Sequence, residues 1–212
     1  MFEEYRKINE DALNQLLSIN YSKPNYTFDN FSKKQYLKCI PEDLFTDKPI
    51  DGFDDNHFKL MNKHFFVKPY WKWIKKLSKI LENKYTVEIC AGTGMLTLAL
   101  ESLGIDIRAV DNNKRKLPQI TEIIFDDAEH HLQYNKYDVM ICCWPEMDNS
   151  FYKSCNNFLE KNPEGEIIYC GEWEGGCTAN DNFFENYNLM DLDIGYTSCF
   201  GLHDNFFLAY KK

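Results

Sequence analysis

From about residue 85 onward the chain alternates short runs of β-branched and apolar residues with segments whose apolar positions recur at helical spacing. A strand covered on both faces reads as a continuous apolar run, whereas a helix packed on one face repeats its apolar positions every three or four residues. On this basis strands are expected at 86–90, 105–110, 122–125, 137–143, 166–170, 192–198 and 205–210. Between the first two, Leu96, Ala99, Leu100 and Leu103 mark a helix over 95–103 that Gly104 stops. A second helix over 148–161 carries Phe151, Cys155, Phe158 and Leu159 on one face and leaves through Pro163-Glu164-Gly165. After the second strand Pro118 interrupts 114–119, so any helix there is weak. Strand, helix, strand units of this kind build a parallel sheet with helices on both faces. Only Gly201-Leu202-His203-Asp204 separates the last two strands, too little for a crossover helix, so these two should pair antiparallel. The expected fold class is α/β: a doubly wound, mostly parallel sheet of seven strands ending in a C-terminal antiparallel hairpin.

The first part of the chain reads differently. Leu13, Leu16 and Leu17 suggest a helix over 3–19, and the aromatic, turn-rich stretch 21–53 has no clear period. Residues 1–68 are therefore expected to form a helical and irregular extension or cap, with 69–212 as the α/β domain. His64-Phe65-Phe66-Val67-Lys68-Pro69-Tyr70 leads into a helix over 71–81, which makes Phe66 and Tyr70 candidate lid residues.

Composition narrows the class. Hydrophobic residues make up 44% and charged residues 27%, as in globular proteins. Apolar runs such as Val139–Cys143 are far shorter than the roughly 20 residues that cross a bilayer. The start, Met1-Phe2-Glu3-Glu4-Tyr5-Arg6, is acidic where a secretory signal is basic and then apolar, so a cytoplasmic protein is expected. Most of the eight cysteines lie in apolar, strand-like stretches (Cys90, Cys142, Cys143, Cys170, Cys199), which suits reduced core thiols. No CxxC pair occurs and the five histidines lack ligand spacing, so no metal is expected. A net charge of −9 disfavours nucleic acid, whose affinity comes from Lys and Arg neutralising phosphates. The local basic runs 68–79 and 114–116 read as solvated faces.

The stretch richest in chemistry is Val87-Glu88-Ile89-Cys90-Ala91-Gly92-Thr93-Gly94-Met95-Leu96, a strand entering a glycine turn and then a helix. Small residues at the turn let a ligand approach the backbone, and the helix start offers free N–H groups. At the end of the second strand, Arg108-Ala109-Val110-Asp111 supplies a carboxylate where doubly wound sheets hold the two hydroxyls of a ribose. Together these point to a nucleoside cofactor. A dinucleotide fingerprint has a third glycine three residues after Gly94; Thr97 stands there, which disfavours NAD.

Glu88-Ile89-Cys90-Ala91-Gly92-Thr93-Gly94 resembles motif I of the class I S-adenosylmethionine-dependent methyltransferases, a Rossmann-like family, with Cys90 in place of the first glycine. The resemblance implies that Glu88 orients the turn and meets the methionine amino group. It also implies that Cys90, Gly92 and Gly94 line the methionine and ribose, and that Asp111 binds the ribose. Asp126-Asp127-Ala128 is similar to the family's adenine-binding acid, with Asp127 the better match; an N-cap of the following helix is compatible with that role.

Ligands of such sheets sit beyond the C-terminal strand ends. The fourth strand ends in Cys142-Cys143-Trp144-Pro145-Glu146-Met147-Asp148, where methyltransferases hold the acceptor. This Trp-Pro turn lacks the Asn or Asp of the amino-methylating motif. With Gly171-Glu172-Trp173-Glu174-Gly175-Gly176-Cys177-Thr178 and His203-Asp204, it resembles a set of methyltransferase-like proteins carrying a Trp-Pro turn after strand four. Trp144 and Trp173 are read as apolar walls, Trp144 facing both the sulfonium and the acceptor. Glu146, Glu172 and His203 are candidate proton acceptors, Trp144, Glu146 and Glu172 forming the catalytic set. His130 and His131, adjacent on a short helix, are expected to point apart.

The function expected is methyl transfer from S-adenosylmethionine to a small-molecule or protein acceptor. The alternatives are a methyltransferase-fold scaffold without turnover, favoured by Cys90 and the missing amine motif, and, behind it, an NAD-dependent oxidoreductase.

Overall fold

A computed structural model describes residues 33–38, 40, 42, 67, 69–117, 119–173, 176–198 and 203–212. In chain order these form α1 (Lys33–Lys38), α2 (Trp71–Ile80), β1 (Thr86–Ile89), α3 (Met95–Ser102), β2 (Ile107–Asp111), β3 (Ile123–Phe125), α4 (Ala128–Tyr134), β4 (Val139–Cys143), α5 (Ser150–Lys161), β5 (Glu166–Glu172), α6 (Asp181–Asn186), β6 (Tyr187–Asp191) and β7 (Asp204–Lys211).

The strands form one sheet in the order β3-β2-β1-β4-β5-β7-β6. β1, β2, β3, β4 and β5 pair parallel, while β7 runs antiparallel to both β5 and β6. Strand order reverses between β1 and β4: the chain builds outward through β2 and β3, then returns to the other side of β1. That reversal leaves a crevice at the C-terminal ends of β1 and β4, because the connections leaving them run to opposite sides.

The apolar patterns explain the three layers. β1 and the first four residues of β4 are fully buried, as strands covered on both faces must be. Along β4 the side chains alternate: Val139 and Ile141 pack with α2 and α3 on one face, Met140 and Cys142 with α5 on the other. In α2, Trp73, Ile74 and Leu77 are buried, and lysines occupy the opposite face. In α5, Phe151, Ser154, Cys155 and Phe158 follow the i, i+3, i+4, i+7 spacing of one buried stripe. Ile40 and Val67, upstream of the sheet, are buried in the α2–α3 layer.

The sixth strand is not at 192–198. It is β6, immediately after α6, and 192–198 is an irregular connection. The apolar alternation there has another cause. Ile194 is fully buried and Tyr196 packs edge-on against Trp73 and Phe206, but Gly195 at φ +69° breaks the extended backbone between them. Ends of the other strands shift by one or two residues, and no helix forms over 114–117. Phe66, the predicted helix over 3–19 and most of the predicted extension lie outside the described residues, as does Pro118. Among the described residues no helix is long and apolar enough to cross a membrane.

Candidate functional site

A cavity of about 440 Å³ opens at the C-terminal ends of β1, β2 and β4, lined among others by Cys90, Gly92, Asp111, Asp127, Trp144 and Glu146. A smaller recess of about 50 Å³ adjoins it, sharing Cys90, Gly92, Leu117 and Cys143, and extending to Glu88, Thr93 and Trp73. Of the nine residues assigned in sequence to the cofactor or to the catalytic set, seven line these two spaces.

β1 is followed directly by Cys90, whose backbone is left-handed at φ +54°. A side chain in that region is strained by about 1–2 kcal/mol, which is why glycine is the usual choice there. Gly92 at φ +57° continues the turn, and its N–H donates 2.9 Å to Asp111 Oδ2 across the end of β2. Asp111 Oδ1 accepts from the Asn113 N–H at 2.7 Å. Two backbone donors therefore fix the carboxylate on the cavity wall, and each oxygen keeps a further lone pair for a ligand hydroxyl.

Glu88 points instead toward the start of α3. Its Oε2 accepts from the Thr97 N–H at 2.9 Å and the Thr97 hydroxyl at 2.5 Å, capping the helix from inside the core. Burial pushes its carboxyl up from 4.5 to about 7, against the lowering effect of the Thr97 bonds and with a further rise from Asp111. Gly94, the N-cap of α3 at φ +77°, lines neither space: a Cβ there would lie 2.7 Å from Thr121 Cγ2. Its missing side chain lets the turn pack against the segment entering β3.

Asp127 occupies the N-cap position of α4 without a side-chain cap bond; its Oδ1 instead accepts from Asn112 Nδ2 at 3.1 Å, beside the cavity. On the β4 side, Trp144 is left-handed at φ +55°, and its N–H donates 2.7 Å to the Cys170 carbonyl of β5. The indole Nε1–H reaches Asp204 Oδ2 at 3.1 Å. Glu146 sits at the mouth, 3.4 Å from Arg115.

Glu172 is outside both linings. It is buried, its Oε2 accepts the Cys177 N–H at 2.6 Å, and Oε1 lies 3.4 Å from the His203 N–H, so its carboxylate braces the loops around it. Trp173 is half exposed and meets Phe207 edge-on, and Tyr70 is buried at the start of α2.

Several lining groups carry no motif. Asn112, Lys114 and Arg115 follow the ribose-type acid directly, and proximity to it is the one signal that marks them. His130 and His131 sit in different surroundings, as expected of helix neighbours, the first exposed and the second buried, yet both come near Asp126, at 2.9 Å and 3.6 Å, because Asp126 precedes α4 and faces its first turn. The bond from His130 holds the Asp126 carboxyl below its ordinary value, and burial lowers His131, whose Nε2 lies 2.8 Å from the Tyr137 hydroxyl.

Solved methyltransferases are similar to this chain in fold. Magnesium protoporphyrin IX methyltransferase from Synechocystis PCC 6803, with bound S-adenosylmethionine, is 10% identical over 78% of this chain and 86% of its own, at a TM-score of 0.45. An rRNA methylase from Streptococcus thermophilus is 15% identical over 65% and 93%, at 0.45. An S-adenosylmethionine-dependent methyltransferase from Bacteroides fragilis, in complex with S-adenosylhomocysteine, is 12% identical over 66% and 76%, at 0.42. At such identities and scores, nothing about activity passes from these proteins to this chain. No family model and no curated protein sequence matches it.

The geometry itself permits definite chemistry. A cavity with a fixed carboxylate and an indole in its lining and an exposed acid at its mouth can take a polyol-bearing ligand and hold an apolar or cationic group against the indole.

Proposed function

We propose that this chain binds S-adenosylmethionine in the cavity and transfers its methyl group to a small-molecule or protein acceptor. One observation carries the reading: Asp111, fixed by the Gly92 and Asn113 N–H groups, faces the cavity beside the glycine turn with acceptor capacity to spare. The group fits the residues present. Asp111 receives the ribose hydroxyls, and Asp127, held by Asn112, receives an exocyclic amine. The recess beside Gly92 takes the amino-acid tail, with Glu88 at its base. Bound there, S-adenosylmethionine supplies an electrophilic methyl on a cationic sulfur. Trp144 offers its aromatic face to that cation and excludes water, and Glu146 accepts the proton released by an O–H or N–H acceptor. Positioning and desolvation do most of the work, since transfer is in line and direct.

An NAD-dependent reaction is disfavoured by a specific contact. A pyrophosphate binds the free N–H groups of the first helical turn, whereas here the Glu88 carboxylate already takes the Thr97 N–H. Calorimetry with S-adenosylhomocysteine and, separately, NADH tests the reading. Binding of the first and not the second is expected; binding of neither leaves the scaffold alternative, and preference for NADH leaves the oxidoreductase.

A further inference from the structure

Trp144 combines a strained backbone with a place in the cavity wall. It is a bulky residue in left-handed backbone at φ +55°, a conformation costing about 1–2 kcal/mol, and it forms a wall of the cavity. Such a conformation persists only where the surroundings hold it, and strain of this kind clusters at ligand sites. The backbone is held by the 2.7 Å bond from its N–H to Cys170. The side chain is held from another direction, by Asp204.

Asp204 is 3% exposed and three side chains converge on it. The Trp144 indole N–H and the Tyr196 hydroxyl donate to Oδ2 at 3.1 and 2.6 Å, and the Ser198 hydroxyl donates to Oδ1 at 2.5 Å. A carboxylate offers acceptor lone pairs at both oxygens, enough for three donors at once; an alanine offers none. Topology explains how a residue 60 positions away arrives there. β7 is antiparallel to β5, with Asp204 opposite Glu172, so the first residue of β7 lies at the edge where the parallel strands finish.

We infer that Asp204 is the positioning residue of the site, setting the Trp144 indole against the cavity through this bond. Its effect on ligand binding rests on the cofactor reading above; its effect on the indole does not. The test uses the full chain labelled with 5-fluorotryptophan, whose four tryptophans are followed by fluorine NMR, with Trp144 assigned by its loss in Trp144→Phe. In Asp204→Ala the Trp144 resonance is expected to shift and broaden while that of Trp71 stays in place. S-adenosylhomocysteine binding, read by calorimetry, is expected to weaken about tenfold, about 1.4 kcal/mol. Trp144→Phe should weaken it to a similar degree, and the double variant should be no weaker than either single one, because both remove the same interaction. An unmoved Trp144 resonance in folded Asp204→Ala, or additive losses in the double variant, overturns the inference. If Asp204→Ala does not fold, Tyr196→Phe decides: removing the competing donor on Oδ2 should move the Trp144 resonance, and no movement overturns the inference. A wild-type chain that binds no S-adenosylhomocysteine defeats the cofactor reading alone, and the spectra still decide this one.

Discussion

The two halves of the sheet's ligand edge are built by opposite means. At β1 and β2 the fixing contacts are close in sequence and engage backbone N–H groups: Glu88 with Thr97, nine positions apart, and Asp111 with Gly92, nineteen apart. At β4, β5 and β7 one local contact, Glu172 with Cys177 five positions on, is joined by contacts that span 60 positions for Trp144 with Asp204 and 31 for Glu172 with His203. A local frame depends on the strand, turn and helix that contain it. A long-range frame exists only once the whole sheet has closed, so it binds ligand shape to the completed fold.

Four measurements would break or sharpen this contrast. The largest effect is expected from Asp111→Ala, which removes the ribose acceptor and releases the Gly92 N–H; S-adenosylhomocysteine affinity should fall about a hundredfold, about 3 kcal/mol. Calorimetry showing unchanged affinity would take the ligand off the local frame altogether.

Next comes Glu88→Gln. With the folded carboxyl at about 7 against 4.5 ordinarily, the native state holds the proton more tightly, so this group's contribution is complete below 4.5 and is lost as pH rises to 7. Wild type should lose roughly 2 kcal/mol between pH 5 and 8, at about 1.4 kcal/mol per unit, and the variant should not. Parallel urea titrations showing equal slopes would sink it.

On the long-range side, Glu172→Gln should leave ligand affinity unaltered while lowering stability by about 1 kcal/mol and speeding amide exchange at Cys177, whose N–H it holds. A large loss of turnover with stability intact would instead return Glu172 to the chemistry. The smallest effect is Cys90→Gly. Relief of the left-handed side chain outweighs the added chain entropy by about 0.5 kcal/mol, raising the melting temperature by a degree or two; a fall would mean that the thiol contributes packing worth more than its strain.

Legibility followed the same division. Strand, turn, helix and acid around Asp111 were readable because each signal lies within a short window and has a backbone cause. Cys90 stood out as a departure, and its positive φ shows why glycine is expected there. Glu172 and Asp204, two buried acids paired across β5 and β7, could not be ranked before the fold was known, because their partners are set by strand register. Alternation over 192–198 misled for a related reason: Ile194 and Tyr196 are spaced as in a strand but serve a packed connection.

The reversed β7 has a further implication for change over time. The connections leaving β1, β3 and β4 feed crossover helices, so altering their length disturbs an entire layer. The stretch 192–198 on the way to β7 feeds no such helix, but Ile194 and Tyr196 pack it into the core and Ser198 ties it to Asp204, so change there is confined to exposed positions such as Thr197, which can alter the rim while the layers beneath stay as they are.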